Sequence, residues 1–328
     1  MRIVCDDKIP FLRGVFEPYA EVVYLPGAAI TAADVRNADA LVVRTRTRCD
    51  ASLLEGSSVR VIASATIGYD HIDTGYCSEH GIAWANAPGC NSSSVAHYVA
   101  SALTALGERF GLDLSAMTLG VVGVGHVGSK VARVAQALGM HVLLNDPPRA
   151  LAEGPEGFVS LNEIIAKSDI ITLHVPLDSS TRHLFDDMRI ASLRPDQILI
   201  NTSRGEVVDG NALKEALRNC RLKAAVLDVW ENEPHIDPEL VQLVEISTPH
   251  IAGYSLDGKA AGTTAAVRTV AGALGIDSLK DWSVRLPVAA GNDEYDVRRD
   301  SARLKADISS FERLREEYPV RRDFLILD

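Results

Sequence analysis

Within LGVVGVGHVGSKVA, Gly123, Gly125 and Gly128 have the spacing G-x-G-x-x-G. An apolar run precedes them and a helix-forming run follows. Asp146 stands 23 residues past Gly123, after a second apolar run. Each part has a task in holding a dinucleotide. Gly123 permits a tight turn, Gly125 lets the backbone approach a pyrophosphate, and Gly128 lets helix and strand pack closely. A helix opening near His126 and Val127 offers free N–H groups and a positive dipole end to phosphates. Asp146 can accept hydrogen bonds from the adenosine ribose and would repel an added 2′-phosphate. NAD is therefore favoured over NADP, with Arg149 nearby keeping the phosphorylated form open.

A second constellation lies downstream. ILINTSRGEVVD carries Arg204 just past an apolar run, AVLDVWENEP carries Asp228 and Glu233, and ISTPHIAGYS carries His250. Oxidising an alcohol by hydride transfer requires that the hydroxyl proton leave as the hydride departs. A histidine suits this because its pKa lies near the operating pH. A carboxylate on the far ring nitrogen fixes the tautomer and stabilises the imidazolium. An arginine can grip a substrate carboxylate bidentately and polarise the reacting C–O bond. Any one of these residues alone is more often structural. Three from consecutive strand ends, beside a dinucleotide turn, point to an active site.

The elements that must position them read as alternating strands and helices. Arg2–Cys5, Val22–Leu25, Ala40–Val43 and Val59–Ala63 read as strands, followed by an amphipathic helix over Ser93–Leu106 capped by Ser92 or Ser93. A second series begins with a strand at Thr118–Val122, a helix at Val127–Leu138 and a strand at His141–Asn145. It continues with strands at Ile170–Leu173, Gln197–Asn201, Ala224–Asp228 and Val244–Ser247, then a helix over Gly258–Gly275. Such alternation predicts an α/β fold of doubly wound parallel sheets, the second a six-stranded dinucleotide-binding sheet. From Asp296 to Asp328, 16 of 33 residues are charged, ending in an apolar Phe324–Leu327 that reads as a strand. This tail predicts either a solvated helix or a small interaction segment.

Composition narrows the function classes. The 328 residues carry a net charge of −11, with 47% hydrophobic and 23% charged residues, which excludes global disorder. An acidic chain lacks the basic face that nucleic-acid binding needs, and an anionic substrate must be met by local cations. Cys5, Cys49, Cys77, Cys90 and Cys220 are odd in number and form no C-x-x-C pair, so each reads as a small buried hydrophobe in a reducing compartment. No signal-like or membrane-spanning run and no metal-ligand pattern is visible, which predicts a cytoplasmic protein.

GVGHVG, NTSRGEVVD, DVWENEP and TPHIAGY together resemble the D-2-hydroxyacid dehydrogenases, across most of residues 1–285. The resemblance implies Arg204, Glu233 and His250 as the catalytic set, with His250 moving the proton. It implies cofactor contacts from His126, Val127, Asp146, Asp228, Gly253 and the Thr202–Ser203–Arg204 turn. DDKIP, VRTRT, ATIGYDHID, APGCNSSSVAHY, NDPPRA, HIAGYSLDGKA and YDVRRD are similar to a narrower branch, which oxidises 4-phospho-D-erythronate at C2 in vitamin B6 biosynthesis. That branch implies substrate contacts at Thr45, Thr66 and Tyr254, with Arg44 a candidate for the phosphate. Thr45 stands where a serine is expected, His97 where an acid is usual, and Val175 where a small hydroxyl residue is usual. The organisation implied is a flavodoxin-like substrate domain over 1–92, completed by 255–286, an NAD-binding Rossmann domain over 93–254, and a shortened dimerisation segment over 287–328 of a homodimer. Another dehydrogenase of the family, acting on 3-phosphoglycerate or hydroxypyruvate, and an NAD-sensing binding protein remain as alternatives.

Overall fold

The computed structural model describes residues 1–287 and 295–323. The strand expected at Phe324–Leu327 lies outside the described residues. The described chain forms two compact units, Met1–Asn91 with the segment from Ser255, and Ser92–Tyr254 with the C-terminal segment.

The first unit holds β1 (Arg2–Asp6), β2 (Glu21–Leu25), β3 (Ala40–Val43), β4 (Val61–Ser64) and β5 (Ala83–Ala85), all parallel, in the order β2-β1-β3-β4-β5. This is the flavodoxin-like order. β3 and β4 are buried along their whole length, which explains their unbroken apolar sequence. On one face Ala266, Val267, Val270 and Ala271 of the helix Leu256–Leu274 pack against Val42, Val61 and Ala63. The edge strand β5 escaped the sequence reading, because AWA is too short to show alternation.

The second unit holds β6 (Thr118–Val122), β7 (His141–Asn145), β8 (Ile170–Leu173), β9 (Ile198–Asn201), β10 (Ala224–Leu227) and β11 (Ile246–Ser247), in the order β11-β10-β9-β8-β6-β7. An isolated parallel bridge, Leu144 to Phe158, extends the β7 edge. The strand order reverses between β6 and β8, and open α/β sheets bind ligands beyond the carboxyl ends of strands at such a point. The helix expected from Ser93 begins at Ser92, so Ser92 is its first residue rather than its cap, and it runs to Phe110.

The tail differs from the solvated helix considered for it. Helices Val297–Ala306 and Phe311–Glu316 fold onto the second unit. Val297 is fully buried with Tyr98, Val99 and Leu103, while Leu304 and Phe311 join the core around Trp230. These apolar residues recur every seven positions, a stripe the surrounding charges obscured. The cysteines also correct one expectation. Cys5, Cys49 and Cys77 are buried, but Cys90 is only partly so and Cys220 is exposed after the helix Gly210–Arg218.

Candidate active site

The glycine turn joins β6 to the helix His126–Ala137, with Gly125 at its N-cap. Gly123 has φ +86°, and a Cβ there would lie 2.7 Å from the His174 carbonyl carbon. At Gly128 a Cβ would overlap the Gly123 carbonyl oxygen. Gly125 differs, since a Cβ there meets nothing within 4 Å. Internal packing therefore demands the outer glycines, while Gly125 keeps open space above exposed helix N–H groups. Asp146 Oδ2 accepts the Val124 N–H at 2.8 Å, and Oδ1 caps the next helix at Arg149 N, 3.0 Å. The turn and its acid are one hydrogen-bonded structure, built as a NAD site requires. Arg149 is paired with both oxygens of Glu153 at 2.8 and 2.7 Å and donates to Val124 O. Its guanidinium is thus engaged away from the role that kept NADP open.

His250 and Glu233 meet directly, with His250 Nδ1 2.8 Å from Glu233 Oε2. The two side chains are 30% and 20% exposed, so the pair is sheltered yet reachable. Glu233 Oε1 also accepts the Trp230 N–H at 3.0 Å. Burial works to raise the Glu233 pKa, but the His250 ring, Arg315 and the Trp230 N–H outweigh it and hold the carboxyl below its ordinary value. Glu233 is therefore an ionised partner that orients the imidazole and leaves Nε2 for chemistry.

The backbone under His250 is organised by Asp228, which is 1% exposed at the end of β10. Its Oδ1 accepts Thr248 Oγ1 at 2.6 Å and Ile251 N at 2.8 Å, and its Oδ2 accepts Ala252 N at 2.9 Å. The Asp228 carbonyl accepts His250 N at 2.7 Å. These bonds hold His250 at φ 57°, a left-handed conformation that a non-glycine residue keeps only when its surroundings impose it. Asp228, expected as a cofactor contact, thus has a structural task in shaping the histidine loop that continues into Gly253 and Tyr254.

Arg204 follows β9, and its Nη1 donates to Ser203 O at 2.7 Å. Asn201 shapes this turn by accepting Ser203 N at 3.0 Å and donating to Arg204 O at 2.8 Å. A Cβ on Gly205 would overlap the Trp230 carbonyl, so the arginine turn and the loop bearing Glu233 are packed against each other. Thr202 Oγ1 lies 3.3 Å from His174 Nδ1, and His174 Nε2 lies 3.0 Å from Thr172 Oγ1. Burial lowers the His174 pKa to about 3, so the ring is a neutral spacer between β8 and β9. The sequence reading missed His174, although its place directly after an apolar strand at the switch point was a usable signal.

The residues expected to meet substrate from the first unit are placed separately. Arg44 donates from Nε and Nη2 to the two oxygens of Asp6, both at 3.0 Å. Asp6 is fully buried while the arginine side chain is 31% exposed. Thr45 is exposed, and Thr66 Oγ1 bonds Ser64 Oγ at 2.8 Å and Gly68 O at 3.1 Å. Among the described residues no group of acidic, histidine and cysteine side chains has metal-site geometry, and no helix is long and apolar enough to cross a membrane.

Residues 95–252 match the family model described as D-isomer specific 2-hydroxyacid dehydrogenase, NAD binding domain. The chain is 50% identical to the erythronate-4-phosphate dehydrogenase of Bacteroides fragilis, over 98% of this chain and 97% of that one. It is 44% identical to the protein of the same name from Ectopseudomonas mendocina, over 98% and 93%. Among solved structures, a D-lactate dehydrogenase of Aquifex aeolicus complexed with NAD and lactic acid superposes with TM-score 0.73 at 27% identity, covering 88% of this chain and 100% of that one. With its glycine turn, its paired histidine and glutamate and these relatives, the chain belongs to the D-isomer specific 2-hydroxyacid dehydrogenases, NAD-dependent oxidoreductases of CH–OH groups, and within them to the erythronate-4-phosphate dehydrogenase family.

Proposed function

We propose that this chain oxidises 4-phospho-D-erythronate at C2 to 3-hydroxy-2-oxo-4-phosphooxybutanoate, a step of pyridoxal 5′-phosphate biosynthesis. The observation that carries the chemistry is the His250–Glu233 pair at 2.8 Å, at the carboxyl end of a dinucleotide-binding sheet. The substrate is supported by the names of relatives up to 50% identical over nearly the whole chain. Bound NAD would supply the acceptor for the hydride that leaves C2. Gly125, His126, Val127 and Asp146 would hold its phosphates and adenosine ribose, with Thr202, Ser203, Asp228 and Gly253 toward its other end. His250 takes the hydroxyl proton on Nε2 while Glu233, holding Nδ1, stabilises the resulting charge. Arg204 grips the carboxylate beside C2, Thr45, Thr66 and Tyr254 meet the hydroxyls, and Arg44 meets the phosphate from outside its pair with Asp6.

Activity with NAD on 4-phosphoerythronate, 3-phosphoglycerate and unphosphorylated erythronate in parallel tests the reading. The first should have the highest kcat/KM. Preference for 3-phosphoglycerate would move the chain to another branch, and NAD binding without turnover of any acid would make it a sensor. The same reading makes the protein a cytoplasmic homodimer, which its five free cysteines suit. Light scattering on the full chain should return twice the chain mass, and a monomer at micromolar concentration would remove the dimer.

A further inference from the structure

The C-terminal segment reaches back to the histidine loop through one residue. Arg321 is 7% exposed, and its Nη2 donates to Ala252 O at 2.6 Å and to Ser94 O at 3.3 Å. Its guanidinium carbon lies 4.3 Å from the centre of the Tyr295 ring, so the remaining nitrogens rest on an aromatic face. Tyr295 and Tyr318 both donate to Asp300 Oδ2, at 3.2 and 2.8 Å, and the Tyr318 ring meets Tyr254 edge-on at 5.9 Å. The tail is anchored independently upstream, where Ser301 Oγ accepts Ser247 N at 3.0 Å and Lys305 Nζ donates to Val244 O at 2.6 Å.

Ala252 lies two residues past His250. On its amide side the loop is clamped by Asp228, through Ile251 N and Ala252 N. On its carbonyl side the clamp is Arg321. A left-handed histidine is strained and persists where the surrounding bonds over-determine it. With the carbonyl of Ala252 free, the histidine loop would keep the Asp228 bonds on its amide side and lose its hold on the side that leads to Gly253 and Tyr254. Burying an arginine for two backbone carbonyls is costly unless position matters.

We propose that Arg321 is a positioning residue for the reaction. From the C-terminal tail it locks the Ala252 carbonyl and thereby holds His250, Gly253 and Tyr254 in their working geometry. This rests on the reading of His250 as the group that moves the proton. The tail is then part of the catalytic machinery of its own chain, beyond any part it has in joining two chains.

The test uses the full-length protein with Arg321→Met, Arg321→Lys, Lys305→Met and His250→Ala. For each, kcat, the dissociation constant for NAD and the melting temperature are measured. A lost charged hydrogen bond predicts that Arg321→Met lowers kcat about 10- to 100-fold. NAD affinity should move less than about threefold, and Arg321→Lys should recover part of kcat. Lys305→Met, which cuts the tail's other carbonyl anchor, should lower the melting temperature and leave kcat within about twofold. A folded Arg321→Met with near-normal kcat overturns the proposal. So do equal kcat losses in Arg321→Met and Lys305→Met, which would make the tail a general prop. Should Arg321→Met not fold, Arg321→Leu decides, because near-normal kcat in a folded variant that lacks the donor overturns the proposal. Near-normal turnover in His250→Ala sinks the proton-transfer reading itself, and the two failures are thereby distinguished.

Discussion

Removing Arg44 should have two separable effects, and the structure sets the size of each. Asp6 has no exposed surface and accepts two bonds from Arg44, keeping the Lys8 N–H at 2.9 Å among the described residues when the arginine is gone. Breaking one side of a buried ion pair costs about 3–5 kcal/mol, because the remaining charge is stranded. Arg44→Ala should therefore lower the melting temperature by about 6 °C or more. The phosphate contact is a second matter, as a charge-assisted hydrogen bond contributes about 1.5–3 kcal/mol, or roughly 10- to 150-fold in kcat/KM. A paired variant separates them. Asp6→Asn with Arg44→Met removes both charges and should regain most of the lost stability, yet keep the deficit on 4-phosphoerythronate. Erythronate without the phosphate should be used almost as well as by the unmodified protein. Melting curves and steady-state kinetics on both acids provide the readout. Equal losses on both acids, or full recovery of the phosphorylated substrate in the paired variant, would show that Arg44 shapes its domain and does not read the phosphate.

His250→Ala should leave NAD affinity nearly intact while lowering turnover by about 10²–10⁴, and near-normal turnover in a pure preparation would remove His250 from the mechanism. Gly125→Ala should keep the melting temperature, since its Cβ meets nothing within 4 Å, and should weaken NAD. Gly128→Ala should instead destabilise the fold by overlapping the Gly123 carbonyl; the reverse ranking of the two would contradict the division of labour in the turn. His174 has its pKa lowered to about 3 from 6.5, so between those values the unfolded chain binds more protons and stability falls as pH falls. Denaturant titrations should show a loss of about 2 kcal/mol between pH 6.5 and 4.5 from this group. His174→Gln should flatten that part of the slope, and an identical slope would refute a ring held neutral by the fold.

Much of the site was legible in sequence because its chemistry is local. A turn that must admit a pyrophosphate demands glycines at fixed spacing, and Gly123, Gly125 and Gly128 occupy β6–turn–helix geometry in the structure. Strand ends were legible for the same reason, since buried parallel strands such as β3 and β8 are continuous apolar runs. Arg204, Glu233 and His250 could be picked out because each lies in the loop that follows such a run.

What sequence could not decide depends on pairs distant along the chain. Nothing near Arg44 announces that a buried carboxylate 38 residues earlier holds two of its nitrogens. Arg321 lies in a stretch dominated by charge, and its burial against Ala252, 69 residues away, follows only once Val297, Leu304 and Phe311 have packed the tail onto the sheet. The type and spacing of residues determine which reaction the chain is equipped for, because backbone geometry is read over a few positions. Which charges are neutralised, and which backbone holds the histidine, is decided by packing, because a long side chain is assigned its partner only when the fold removes it from water.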